Sequence, residues 1–269
     1  MPCRGRVVRV ERPPKVEPMP PLETPDPAPA GDADASPQVG GRVHGLETLT
    51  GRDFAAVLFD MDGTLIDSTP AVERSWTAWA PHFGVEMEQL LGLHGIPARG
   101  VIERLIARER WDEAEEHIRR LELADLDGVI ASPGALAALE AMADGSRSAI
   151  ATSCTTDLAE ARLAASRLPH PPVVVTASDV ARGKPAPDPY LLAAERLGAD
   201  PRDCLVVEDA PLGLESARAA GCATLAVTTT TAYDQLVADP NADAVIPDLA
   251  AVHFSVTGDG RVRLAPGRP

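Results

Sequence analysis

The sequence predicts an α/β protein, a doubly wound and mostly parallel sheet with an inserted α-helical cap. A continuous apolar run, Ala55-Ala56-Val57-Leu58-Phe59, stops abruptly at Asp60, as a strand buried on both faces does. From Pro133 onward, short apolar runs alternate with helical patterns, which implies parallel strands joined by crossover helices. Between these regions, over about residues 70–132, apolar residues recur only at helical spacing.

Taken in order, residues 1–50 are expected to be a disordered, Pro-rich segment. The stretch PPKVEPMPPLETPDPAPAGDADASP has almost no apolar periodicity and cannot bury enough surface to offset its ordering entropy. Residues 51–69 and 133–251 are expected to form the α/β core. After the first strand and a turn at Gly63-Thr64, Thr69 is placed to cap a helix with Pro70 at its first position. Val72, Trp76, Trp79 and Phe83 then mark one helical face, Val101, Ile102, Leu105 and Ile106 a second, and Ile118, Leu121 and Leu123 a third. Residues 70–132 therefore read as a helical cap without a strand. Later strands are expected at 149–152, 173–176, 205–207, 224–227 and 244–246. Residues 252–269 read as a C-terminal hairpin and tail, with Gly258-Asp259-Gly260 in its middle.

Composition narrows the function. With 269 residues and 45% hydrophobic residues, the chain can bury one sizeable α/β core and a minor domain. Its formal net charge of -15 repels phosphate backbones and anionic lipid, so neither nucleic acid nor membrane is an expected partner. A small anionic substrate remains open, because it needs only a local positive field. Cys3, Cys154, Cys204 and Cys222 form no C-x-x-C pair and read as free thiols of a reducing compartment. No secretory signal pattern and no membrane-length apolar run is present, so a cytoplasmic location is expected.

In a doubly wound sheet, ligands bind beyond the carboxyl ends of the strands. Here the strand ends deliver Asp60 and Asp62, then Thr152 and Ser153, then Lys184, then Glu208 and Asp209 to one rim. Carboxylates so crowded repel one another unless a hard divalent cation neutralises them. Oxygen-only donors suit Mg²⁺, which commonly also binds substrate phosphate. Asp60, first after the buried strand, is placed to attack phosphorus once metal and lysine screen the charges. Asp62 is placed to protonate the leaving oxygen and later to deprotonate water. Thr152 and Ser153 can donate to phosphoryl oxygens. Lysine occurs only at Lys15 and Lys184 in a chain otherwise biased to arginine, which suggests that a compact ammonium is required at Lys184.

Together these stations resemble the four motifs of the haloacid dehalogenase superfamily. They run Phe59-Asp60-Met61-Asp62-Gly63-Thr64-Leu65, Ala151-Thr152-Ser153, Gly183-Lys184-Pro185-Ala186-Pro187 and Val207-Glu208-Asp209-Ala210. DGTLIDSTPAVERSW, GKPAPDPYLLAAERLG and VVEDAPLGLESARAAG are similar to the β-phosphoglucomutase-like branch, especially bacterial sugar and polyol phosphatases. The resemblance implies a Mg²⁺ held by Asp60, Glu208 and Asp209 and by the backbone carbonyl of Asp62. It implies a cap that pivots near residues 68–70 and 131–134, a small phosphorylated metabolite as substrate, and a monomer. Related caps carry a basic residue after a His-Gly pair. Here His94-Gly95 is followed by Ile96-Pro97-Ala98, and the nearest cation is Arg99. Arg99 is thus either a replacement substrate contact or a solvated residue that opens the next helix. A phosphosugar mutase shares the same core. A non-catalytic phosphometabolite-binding regulator is the alternative from another class.

Overall fold

Residues 41–90, 97–143 and 147–267 are described by a computed structural model. The N-terminal residues 1–40 and the cap pair His94-Gly95 lie outside the described residues. The chain enters the fold earlier than its composition suggests. Residues 41–50, expected to be disordered with the rest of 1–50, are packed against the core. His44 exchanges two backbone hydrogen bonds of 2.9 Å with Val245. Helix α1 (Glu47–Thr50) follows, and Leu46 and Leu49, three residues apart, bury against the core. A single turn is too short for its periodicity to show in sequence, which is why this piece was not expected.

The strands and helices then follow in order: β1 (Asp53–Phe54), β2 (Ala56–Phe59), β3 (Ile66–Asp67), α2 (Thr69–Phe83), α3 (Ala98–Leu105) and α4 (Trp111–Ala124). Next come β4 (Ile130–Ala131), α5 (Ala135–Glu140), β5 (Ser148–Ala151), α6 (Thr156–Ser166), β6 (Val173–Val175) and α7 (Asp188–Arg196). The chain closes with β7 (Cys204–Glu208), α8 (Pro211–Ala220), β8 (Ala223–Val227), α9 (Tyr233–Ala238), β9 (Ala244–Ile246), β10 (Val252–Val256) and β11 (Val262–Pro266). Six strands form one parallel sheet in the order β6-β5-β2-β7-β8-β9. The order reverses direction around β2, so its carboxyl end faces the crevice that such sheets use for ligands.

Side-chain alternation explains the layers. Val57 and Phe59 of β2 point into a cluster with α5, α6 and the C-terminal strands, whereas Ala56 and Leu58 point to the other face, against α7 and α8. Small residues on that second face let α7 and α8 pack close: Ala193, Ala194, Ala217 and Ala220 are all buried there. Strands β10 and β11 pair antiparallel as expected of a hairpin. β1 pairs along the outer edge of β11, so the ribbon is a three-stranded sheet rather than a free tail.

The helical stretch has its own core of Trp79, Phe83, Ile102, Ala114 and Ile118. Burying such a side chain is worth about 1.5–3 kcal/mol, and the Trp79 indole N–H is not left orphaned. It donates to the Ala114 carbonyl at 2.9 Å and ties α2 to α4. Two expectations need correction here. Residues 70–132 are not free of strand, because β4 pairs antiparallel with β3 where the chain crosses between the layers; two residues are too few to show a period of two. At the start of α2, the Thr69 N–H donates to the Asp67 carboxylate at 3.0 Å, so Asp67 rather than the Thr69 side chain supplies that contact. Among the described residues no helix is long and apolar enough to cross a membrane.

Candidate active site

The Asp60 N–H still donates to the Val207 carbonyl at 2.9 Å, so the ladder between β2 and β7 runs up to Asp60 and fixes it beside the end of β7. The chain then turns sharply at Gly63, whose φ of 86° disfavours any side chain. A Cβ there would lie 2.4 Å from Asp209 Oδ2, so the glycine also leaves room for that carboxylate.

Lys184, buried, donates at 2.6 Å to Asp60 Oδ1 and at 2.6 Å to Glu208 Oε1. Glu208 Oε1 also accepts from the Tyr190 hydroxyl at 3.0 Å, and Oε2 accepts from the N–H groups of Asp209 and Ala210 at 2.9 and 3.1 Å. A carboxylate has about four lone-pair positions, and Glu208 has four protein donors. Asp209 is engaged more lightly, by the Thr64 hydroxyl at 3.4 Å and by Thr230. A Cβ at Gly213, opposite in α8, would fall 1.7 Å from Glu208 Oε1, so this glycine keeps the helix clear of the cluster.

One oxygen from each of Asp60, Glu208 and Asp209 lies within 4.8 Å of the others, all three residues buried. Burial pushes the Asp60 carboxyl up to about 7, with the Lys184 ammonium pulling it back and the Glu208 carboxylate pushing it further. Burial likewise drives Asp209 well above the carboxylate range, reinforced by the charges of Glu208 and Asp60. Burial opposes the Lys184 charge, but Asp60 and Glu208 outweigh it and hold the ammonium well above its ordinary range. Three buried carboxylates against one ammonium leave an excess of negative charge, which a hard divalent cation fits.

Asp62 does not join that triad through its side chain. Its Oδ1 accepts from the Ser68 hydroxyl at 2.6 Å and from Arg162 Nη1 at 2.9 Å, and its Oδ2 from the Cys154 thiol at 3.1 Å. Burial keeps that thiol protonated, well above the usual thiol range, and the nearby Asp62 carboxylate adds to the shift. Thr152 is buried just beyond β5, where its Oγ1 accepts from the Cys154 N–H at 3.1 Å and its own proton stays free to donate. Ser153, half-buried, lines the same cleft.

That cleft has a volume of about 520 Å³ and runs from Asp60, Asp62, Thr152, Ser153, Lys184 and Asp209 up to the cap helices. Arg99 lies on its cap wall, yet its guanidinium is occupied. It meets Glu103 at 3.1 Å, Asp112 at 2.9 Å and Glu115 at 2.7 Å. The place of Arg99 on the cleft wall and in the first turn of α3 fits both expected roles, a substrate contact or a residue opening the helix, with its charge shared among three carboxylates. Arg119 on the same wall pairs with Glu116 at 2.8 Å and with Asp157.

Sequence reasoning missed four residues here. Tyr190 is one of only two tyrosines and sits six residues after Lys184. Thr230 belongs to the Thr228–231 run that follows β8. Arg162 does carry a signal, since it interrupts the buried stripe Leu158, Ala159, Leu163 and Ser166 of α6. Its partner Glu122 on α4 carries none.

The model of the haloacid dehalogenase-like hydrolases matches residues 54–221. Hexitol phosphatase A of Escherichia coli (strain K12) is 46% identical over 175 residues, covering 63% of this chain and 81% of that protein. Fructose-1-phosphate phosphatase YqaB of the same organism is 33% identical over 180 residues, covering 62% of this chain and 93% of its own length. Among solved structures, a family IA, variant 3 hydrolase from Entamoeba histolytica superposes with a TM-score of 0.65 at 26% identity. It covers 72% of this chain and 93% of that one.

Proposed function

The chain belongs to the haloacid dehalogenase-like hydrolases, and from that premise we propose that it is a Mg²⁺-dependent phosphatase of small sugar or polyol phosphates, working through an aspartyl-phosphate. The observation that carries the reading is the buried meeting of Asp60, Glu208 and Asp209, at the ends of the adjacent strands β2 and β7, with Lys184 from the segment leading into α7.

In this reading an Asp60 carboxylate oxygen forms a bond to phosphorus as the ester P–O bond breaks. Asp62 gives its proton to the departing oxygen. In the second half Asp62 takes a proton from water, whose oxygen bonds to phosphorus as the bond to Asp60 breaks. Lys184 and the hydroxyls of Thr152 and Ser153 hold the phosphoryl oxygens. Mg²⁺, when bound, would supply charge neutralisation between the carboxylate and the phosphoryl group. Asp60 and Asp209 would hold it directly, together with the Asp62 carbonyl. Glu208, with four protein donors, serves first to fix Lys184. The helical layer of residues 70–132 would close over the leaving group and exclude water.

The charge of the cleft supports the substrate class. Among the described residues its cationic linings are Arg99, Arg119, Arg162 and Lys184, and each is paired with carboxylates. The cap wall presents Asp112, Glu115, Glu116 and Glu122. A second phosphate would meet that wall unfavourably, whereas hydroxyls of a neutral polyol can donate to it. The names of the two Escherichia coli relatives, a hexitol phosphatase and a fructose-1-phosphate phosphatase, agree with this class.

The test is phosphate release from hexitol, pentitol, glycerol, aldose and ketose monophosphates and from sugar bisphosphates, with Mg²⁺ and with chelator. Mg²⁺-dependent release from neutral monophosphates, with bisphosphates poor, is expected. Conversion of a sugar phosphate to its isomer without free phosphate would overturn the phosphatase reading in favour of a mutase.

A further inference from the structure

A second buried cation lies between the two layers. Arg162, on α6 of the core, is only 4% exposed. Its Nη1 donates to Asp62 Oδ1 at 2.9 Å and to the Cys154 sulfur at 3.1 Å, while Nη2 donates to Glu122 Oε1 at 3.1 Å. Glu122 belongs to α4 of the helical layer and is itself buried. Ser68, which also donates to Asp62 Oδ1, directly precedes the first helix of that layer. Apart from the Cys154 thiol, the bonds that orient the Asp62 carboxylate thus come from the start of the cap and from a guanidinium shared with it.

We infer that Arg162 is a positioning residue for the acid–base carboxylate Asp62, and that Glu122 makes this positioning depend on the docked helical layer. The inference rests on the role given to Asp62 above. A guanidinium suits the task because it meets the two carboxylates through separate nitrogens of one rigid plane, Nη1 and Nη2, which sets their directions together. Without it, the charges of Asp62 and Glu122 would oppose each other across a buried gap with no cation between them. When Glu122 moves away with the cap, the fork loses one of its two anchors, and the orientation of Asp62 loosens with it. The proton donor is then held in one direction only while the leaving group is enclosed.

The experiment reads proton donation separately from phosphate binding. kcat/KM is measured for aryl phosphates graded from p-nitrophenyl to phenyl, and for a simple alkyl phosphate. This parameter covers the steps through cleavage of the ester, where p-nitrophenolate departs unaided but phenolate and alkoxide need a proton. Arg162→Met is expected to lower kcat/KM on the order of 10²-fold for phenyl and alkyl phosphates and far less for p-nitrophenyl phosphate. Glu122→Gln, which keeps shape and leaves Arg162 in place, is expected to steepen the same series to a smaller degree. Asp62→Asn should show the steepest series, and adding Arg162→Met to it should cost little more, since both act through one group.

An equal loss across the series for Arg162→Met would overturn the positioning role and leave a structural one. A wild-type series for Glu122→Gln would overturn the dependence on the cap, and this variant is informative even if Arg162→Met fails to fold. An Asp62→Asn enzyme without steepening would sink the acid assignment itself, a failure separable from that of Arg162.

Discussion

Lys184 and Arg162 each sit buried between two carboxylates, but the two clusters are held together by different means. Lys184 bridges Asp60 and Glu208, which end the adjacent parallel strands β2 and β7, where Phe59 is in register with Val207. The sheet's own hydrogen bonds fix that spacing. Arg162 bridges Asp62 and Glu122, the second of which comes from a helix of another layer with no backbone pairing to the first. Side-chain contacts alone fix that spacing. One cluster is as rigid as the sheet, and the other is as variable as the docking between layers. In the proposed mechanism, the chemistry that must not move, the attack on phosphorus, would fall on the first. The step that must wait for enclosure in that mechanism, proton delivery, would fall on the second.

The largest expected effect tests the rigid cluster. Asp60→Asn keeps the shape and the β2–β7 ladder but removes the proposed nucleophile, and should lower phosphate release on the order of 10⁴-fold or more with the thermal midpoint little changed. Lys184 keeps Glu208 as a partner at 2.6 Å, so its buried ammonium stays compensated and the variant should not unfold. Retained turnover in a folded variant would break the assignment. Lys184→Arg comes next. Nζ approaches both carboxylates at 2.6 Å and sits 5.0 Å from the centre of the Tyr190 ring, so a planar fork cannot occupy the point between them. A loss on the order of 10²–10³-fold in kcat is expected despite the kept charge, and near-normal kcat would show that the point geometry is dispensable.

The same contrast explains what was legible in the sequence. Asp60, Glu208 and Asp209 could be placed because each lies at the end of a recognisable apolar run, and a doubly wound sheet sends the carboxyl ends of its strands to one rim; Lys184 stood out as a lysine in an arginine-biased chain. The parallel strands themselves were read to within a residue or two, since residues buried on both faces form continuous Val, Ile, Leu and Ala runs. Glu122 was invisible, because its meaning depends on how α4 docks and not on its neighbours in the chain. Arg162 was half-visible as a charge on the buried face of α6. The place of Arg99 near the cap was legible, but its partners were not. The acidic residues that neutralise it lie four residues away on α3 and on the following helix, at Glu103, Asp112 and Glu115.

Arg162→Lys sharpens the comparison where Lys184→Arg tests its converse. Lysine ends in one nitrogen on a shorter stem where Arg162 meets Asp62 and Glu122 through two, Nη1 and Nη2, so one charge-assisted hydrogen bond is expected to be lost. Such a bond is worth about 1.5–3 kcal/mol, so the expected loss in kcat/KM for an alkyl phosphate is on the order of tenfold or more. If both exchanges proved equally harmful, the difference between a point and a fork would not be what distinguishes the clusters.

The smallest effect belongs to Arg99, which tests whether the cap wall acts through contact or only through its field. Its side chain is 37% exposed and shared among three carboxylates, and exposed pairs of this kind are each worth less than about 1 kcal/mol. Removing it leaves Asp112 and Glu115 uncompensated on a wall that a phosphate dianion must pass. Arg99→Ala should therefore raise KM for sugar, polyol and aryl phosphates alike, by no more than about fivefold, and the rise should shrink as salt is added. A bidentate contact to the substrate would behave otherwise. It would depress the polyol phosphate selectively, spare the aryl phosphate, and persist at high salt. That pattern would mean that the three carboxylates release Arg99 when substrate enters, and the cap would then hold a second adjustable cation like Arg162.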